Sequence, residues 1–113
     1  MATRNFPGTI HTGFSTTLVA PGDTTAADRN VAFKNGVAWV YTISAINTNV
    51  TMVVNISLDG STYGADPASS VAHTANGTYV LKYLGGAPWS ALELDAETGG
   101  TAAVVTVLGA YTF

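Results

Sequence analysis

The sequence predicts an all-β fold: an antiparallel β-sandwich of jelly-roll type, with about seven or eight strands and an extended N-terminal arm. Three observations carry that expectation. Apolar and polar residues alternate with period two over Val50–Leu58 and again over Thr78–Leu84, the spacing at which a strand turns one face to a core. Turn dipeptides recur, among them Pro21-Gly22, Asn35-Gly36, Asp59-Gly60, Asn76-Gly77, Gly85-Gly86 and Gly99-Gly100, so the breaks fall roughly every 8–12 residues. No segment sustains a 3.6 period, and no repeat of solenoid length is present.

The stretch Val37–Tyr63 is the centre of the chain. Val37–Asn47 is rich in β-branched and aromatic residues on both parities, which suits a strand buried on most of its surface. In Val50–Leu58, Val50, Met52, Val54, Ile56 and Leu58 share one face, and Thr51, Val53, Asn55 and Ser57 the other. A slip of one residue would put the whole apolar set in water, so the register is expected to be fixed. Asn47-Thr48-Asn49 reads as the turn between the two strands, because Asn tolerates left-handed backbone. Asp59-Gly60 reads as a tight hairpin turn.

In chain order, Met1–Gly8 has no period and reads as an arm. Thr9–Ala20 reads as a strand with Ile10, Phe14 and Leu18 as apolar members, bent at Gly13. Asp23–Asn30 is loop or weak helix. Val31–Phe33 is a short strand entering the Asn35-Gly36 turn. Ser61–Gly64 briefly continues the sheet, Ala65–Ser70 is loop, and Val71–Ala75 a short strand. In Thr78–Leu84, Tyr79, Leu81 and Tyr83 face one way and Thr78, Val80, Lys82 and Leu84 the other. Trp89–Ala96 puts Leu92, Leu94 and Ala96 on one face; Glu93, Asp95 and Glu97 form a carboxylate row on the other, facing solvent because buried unpaired charge is costly. Thr101–Phe113 is a final long strand.

The 113 residues fit one domain, read as residues 1–30, an arm and first strand region, and 31–113, the sandwich. Hydrophobic residues make up 47% and charged residues 10%, against ~25% charged in ordinary soluble domains. So little charge defends the surface weakly against association. The exterior is then either covered by copies or partners in an assembly, or a neutral, Thr-rich β surface. Four basic and seven acidic residues leave a net charge of −3. Arg4, Arg29, Lys34 and Lys82 are scattered, so phosphate contacts with nucleic acid are not expected. No apolar run reaches the ~20 residues of a membrane helix, and MATRNFPGT lacks the apolar core of a signal peptide. Both point to a chain made and kept in a cytoplasm or released by lysis. Without cysteine there is no disulfide framework.

No catalytic, metal-ligating or cofactor-binding set emerges. His11 and His73 lack metal-type spacing and, without Cys, would need carboxylate help to hold zinc; both read as surface histidines. No Gly-x-Ser-x-Gly context supports a nucleophilic serine. Glu93, Asp95 and Glu97 on one strand face lack the cleft of a glycosidase pair. Asp59 or this row offers oxygen ligands to Ca²⁺ without a specific pattern. Trp39, Trp89, Tyr63, Tyr79, Tyr83 and Tyr111 suit a sandwich core or an interface better than a sugar platform. The chain is not expected to be an enzyme.

Three segments carry a resemblance: NISLDGSTY (Asn55–Tyr63), TANGTYVLKYL (Thr74–Leu84) and SALELDAETGGTAAVVTVLGAY (Ser90–Tyr111). They are similar to short β-sandwich proteins encoded among tailed-bacteriophage virion genes. The resemblance spans Val37–Phe113 and is one of turns and strands. It departs at Trp89, and the N-terminal third has no counterpart. It implies a structural virion protein of the capsid decoration or cement type, assembled in the host cytoplasm. Its partners would be the major capsid protein of a phage head and copies of itself, a trimer being favoured. The expected contacts are the arm Ala2–Ala20 on the shell, with Arg4, Phe6 and Phe14, and Trp89 and Tyr111 between copies. A carbohydrate-binding or tail- or fibre-associated sandwich module is the alternative, and a minor tail-tube subunit a third.

Overall fold

A computed structural model describes residues 9–11, 16–25, 28–29, 36–46, 48–85, 87–98 and 103–112. Among these are ten strands: β1 (Thr9–His11), β2 (Thr16–Leu18), β3 (Asp28–Arg29), β4 (Val37–Ser44), β5 (Asn49–Ser57), β6 (Gly64–Ala65), β7 (Val71–His73), β8 (Gly77–Tyr83), β9 (Trp89–Thr98) and β10 (Val104–Thr112). One 3₁₀ turn spans Pro67–Ser69. Expected features at Met1–Gly8, Phe14 and Val31–Asn35 lie outside the described residues.

The strands form two antiparallel sheets. In the first, β10 lies between β4 and the edge formed by β1 and β2, and β8 is the far edge. In the second, β9 lies between β3 and β5, and β6 and β7 both pair with β5. Counting β1 with β2, and β6 with β7, as interrupted strands gives eight, four to a sheet. Pairing is nested: β1 and β2 with β10, β3 with β9, β4 with β8, β5 with β6 and β7. The first half of the chain is thus a ribbon folded back on the second and rolled up, which is the jelly-roll arrangement. Nested pairing makes β4 and β5 cross from sheet to sheet instead of forming a hairpin. Ala45 turns that corner with φ 60.

Alternation supplies the core. Val37, Trp39, Tyr41 and Ile43 of β4 face Val50, Met52 and Val54 of β5, with Leu92 and Leu94 of β9 and Val105, Val107 and Ala110 of β10. Leu81 and Tyr83 of β8 close one edge. Each such side chain contributes about 1.5–3 kcal/mol on burial, so a slip of β5 that exposed Val50, Met52 and Val54 would cost most of a domain's usual stability of about 5–15 kcal/mol. Alternation stops at Ser57, so Leu58 leaves the apolar row it extends in the sequence and stands 82% exposed.

Two bulges redirect side chains. In β9, Thr51 pairs with Ala96 but Met52 with Leu94, leaving Asp95 as the extra residue. The carboxylate row is therefore not one face: Glu93 points outward, Asp95 sits in the bulge, and Glu97 turns inward opposite Val50. There its carboxylate accepts the Ala103 N–H, and Ala96 is exposed. In β10, Val107 pairs with Tyr41 but Gly109 with Val40. The extra residue is Leu108, and beyond it Ala110 points to the core while Tyr111 points out.

Candidate functional site

The outer face of the first sheet is the most distinctive surface. Its register can be read row by row. One row is threonine across four strands, Thr17, Thr106, Thr42 and Thr78, with the hydroxyls of Thr42 and Thr78 3.0 Å apart. The next holds Gly109, Val40 and Val80, with Leu108 bulging beside them. The third holds Tyr111, Ala38 and Lys82. Between the last two lies an apolar trough of about 450 Å³, walled by Ala38, Val40, Val80, Leu108 and Tyr111. Val80 is 56% and Leu108 49% exposed. A strand face meant for water alone would alternate to polar residues here.

Exposed apolar side chains are unevenly distributed. Leu58 and Leu84 stand at the end of the sandwich where Val37 pairs with Thr112 and Tyr83, and Ser57 with Trp89. The opposite end carries Ser44, Thr48, Asn49, Thr74, Asn76 and Thr98. Val19 is the exposed apolar residue near that polar end.

At the apolar end, Asp59 organises the loop after β5. Its Oδ1 accepts the Ser57 hydroxyl at 2.9 Å and the N–H groups of Ser61 and Thr62 at 2.8 and 2.9 Å. Those donors hold the carboxyl at about 2, the Thr62 and Ser61 N–H groups contributing most. Ser57 Oγ accepts the Gly60 N–H at 2.9 Å. The expected two-residue hairpin is thus a wider loop, because β5 resumes pairing only at Gly64 and Ala65. Trp89 is half-buried under it: a Cβ on Gly60, which has φ 80, would come within 2.9 Å of the indole.

A third cluster bridges the two sheets. The Tyr41 hydroxyl and His73 Nε2 are 2.7 Å apart in the interior, and the His73 ring stacks on Tyr79 at 3.8 Å. Tyr79 donates to the Ala75 carbonyl. Burial raises the Tyr41 hydroxyl, with Tyr79 adding to the effect, so Tyr41 stays protonated. Burial lowers the His73 imidazole. The expectation of a surface histidine is corrected: His73 is 9% exposed, because β7 pairs with β5 at Val50 and turns its last side chain inward. This arrangement joins the two sheets.

Of the five expected contact residues, Tyr111 lies on the apolar face and Trp89 braces the Asp59 loop. Arg4, Phe6 and Phe14 lie outside the described residues. Within the expected arm, β1 and β2 are sheet strands on the edge of β10, and Leu18 is buried in the core. Sequence reasoning missed Leu108, Val40 and Leu58 as surface features. The signal for Val40 was its parity on β4, opposite to Trp39 and Tyr41. The aromatics do not form a platform: Trp39, Tyr41 and Tyr83 are buried. Among the described residues no three His, Cys, Asp or Glu side chains gather as a metal-holding group. No helix among them is long and apolar enough to cross a membrane. No protein family, curated protein or solved structure matches the chain.

Proposed function

We propose that this chain is a structural virion protein, a decoration or cement protein of a tailed-phage head, acting through surface-to-surface contact. The observation that carries the interaction reading is the apolar outer face of the first sheet. It sets Val80 of β8 and Leu108 and Tyr111 of β10 in water on either side of β4, with threonines along one side. Such a patch is covered in working assemblies more often than it is left bare. The virion part of the reading rests on the three segments resembling phage sandwich proteins, and the jelly roll is a fold that capsid proteins use. Fold alone does not fix function.

On this reading the face seats on the major capsid protein, with further copies of the chain beside it as a homo-oligomer, trimeric by the same resemblance. Burial stabilises at about 25 cal/mol per Å² of apolar surface, and the many copies on one shell multiply a modest contact. Mass spectrometry of purified particles from the genome that encodes the chain tests it. The chain should be present in stoichiometric amounts, and a Val80→Glu/Leu108→Glu variant that folds normally should be lost from them. Absence of the native chain from particles would end the proposal.

A further inference from the structure

A second surface, separate from that face, has the chemistry of a receptor for a basic side chain. It is a slot of about 380 Å³ beside the Asp59 loop. Ile56, Leu58 and Ala87 form its apolar wall, and Ser57, Asp59 and Thr62 its rim. Leu58 is 82% exposed, so its side chain is open to contact along its length.

The carboxylate at the rim is fixed and half used. All three of its bonds to Ser57, Ser61 and Thr62 fall on Oδ1. Among the described residues nothing donates to Oδ2. Holding the loop therefore leaves one carboxylate oxygen unused on a residue that lines the slot. Gly60 against Trp89 fixes the loop from beneath. A neutral apolar guest would leave Oδ2 unused, and a small cation would leave the leucine wall unused. An arginine or lysine uses both, since its stem is aliphatic and only its head is charged.

We propose that this slot receives an arginine or lysine side chain of a partner protein, the stem lying along Leu58, Ile56 and Ala87 and the head meeting Asp59 Oδ2. The chain has a net charge of −3 and four basic residues, so charge complementarity favours a different, more basic protein over a second copy. The inference does not rest on the virion reading, and its failure would leave the outer face of the first sheet untouched.

Titration of the ¹⁵N-labelled chain with n-butylguanidinium, followed by NMR at constant ionic strength, tests the slot. The neutral isostere n-butylurea is the control. Butylguanidinium should shift the amides of Leu58, Ser61, Thr62 and Ala87 along a saturating curve, with butylurea at least tenfold weaker. Asp59→Asn keeps an Oδ1 acceptor for the loop but removes the charge, and should weaken the guanidinium response at least tenfold. Leu58→Ser spares the loop bonds and should weaken both probes. A response absent from these amides, equal for the two probes, or unchanged in Asp59→Asn would overturn the proposal. Concentration-dependent self-association abolished by Asp59→Asn would overturn the choice of partner in favour of a second copy.

Discussion

Tyr41 and His73 are an internal tie whose strength depends on pH. His73 sits near Tyr41 from β4, Tyr79 from β8 and Val50 from β5, and beyond Val50 the same row reaches Glu97 of β9. Among the described residues no carboxylate touches it, so protonation places a poorly compensated charge in the interior. Its folded pKa lies below the ordinary 6.5. Below that value the unfolded chain binds the proton more readily, so stability falls as pH drops and levels off once the folded state is protonated as well. Urea unfolding at pH 8, 7, 6 and 5 should show this decline, and His73→Gln should flatten it. Asp23 and Asp59 have lowered pKa values. Their contributions are present above the ordinary 3.8 and are lost only as pH falls through the folded values, so the two windows separate. Tyr41→Phe leaves the buried Nε2 without its hydrogen-bond partner and should cost about 1–3 kcal/mol at pH 8. Gly60→Ala joins a left-handed φ to a contact with the Trp89 indole. It should cost about 1–3 kcal/mol in the same measurement and quench or shift tryptophan fluorescence.

At the scale of strands, what the sequence made legible was periodicity. The inward sets of β4, β5 and β8 follow directly from alternation, and so does the outward row Thr78, Val80 and Lys82. What it concealed were departures from period two. Neither Asp95 nor Leu108 is a residue type that announces a bulge. Each is extra only relative to the strand it pairs with, and that partner is fixed by the fold. Beyond each bulge parity reverses, which is why Ala96 and Glu97 exchange their expected sides. His73 was obscured for a similar reason, since Tyr41 is 32 residues away. Part of the apolar face was likewise invisible, because Tyr111 reaches the same side as Val40 only through the bulge. This makes a prediction about β10. Leu108→Ala trims a half-exposed side chain and should change stability by no more than about 0.5 kcal/mol. Deleting Leu108 removes the extra residue but leaves Gly109 opposite Val40, Ala110 inward and Tyr111 outward, so it should cost less than ~2 kcal/mol. Thermal unfolding of the two variants checks both values; a larger loss on deletion than on truncation would mean that the bulged backbone itself carries stability.

For the whole molecule, the question is why an apolar face persists on a chain so poor in charge. Its core does not need it: Trp39, Tyr41, Val105 and Val107 are sealed on the other side of the same strands. Val80, Leu108 and Tyr111 gain little by folding, because much of each stays in water. Exchanging them for charged residues should therefore leave the sandwich nearly unchanged in stability, while an interface built on them would fail. The double variant Val80→Glu/Leu108→Glu separates the two roles. Its unfolding midpoint should stay within a few degrees of the native chain, since surface substitutions usually act within about 0.5 kcal/mol. Its association should change sharply: sedimentation should show the native chain forming larger species as concentration rises and the variant remaining a monomer. A variant that unfolds early would mean the face supports the fold instead. If both chains stay monomeric and enter particles equally, contact must be made elsewhere. The slot beside Asp59 would then be the next surface to alter, with Leu58→Ser disturbing its wall and none of the loop's hydrogen bonds.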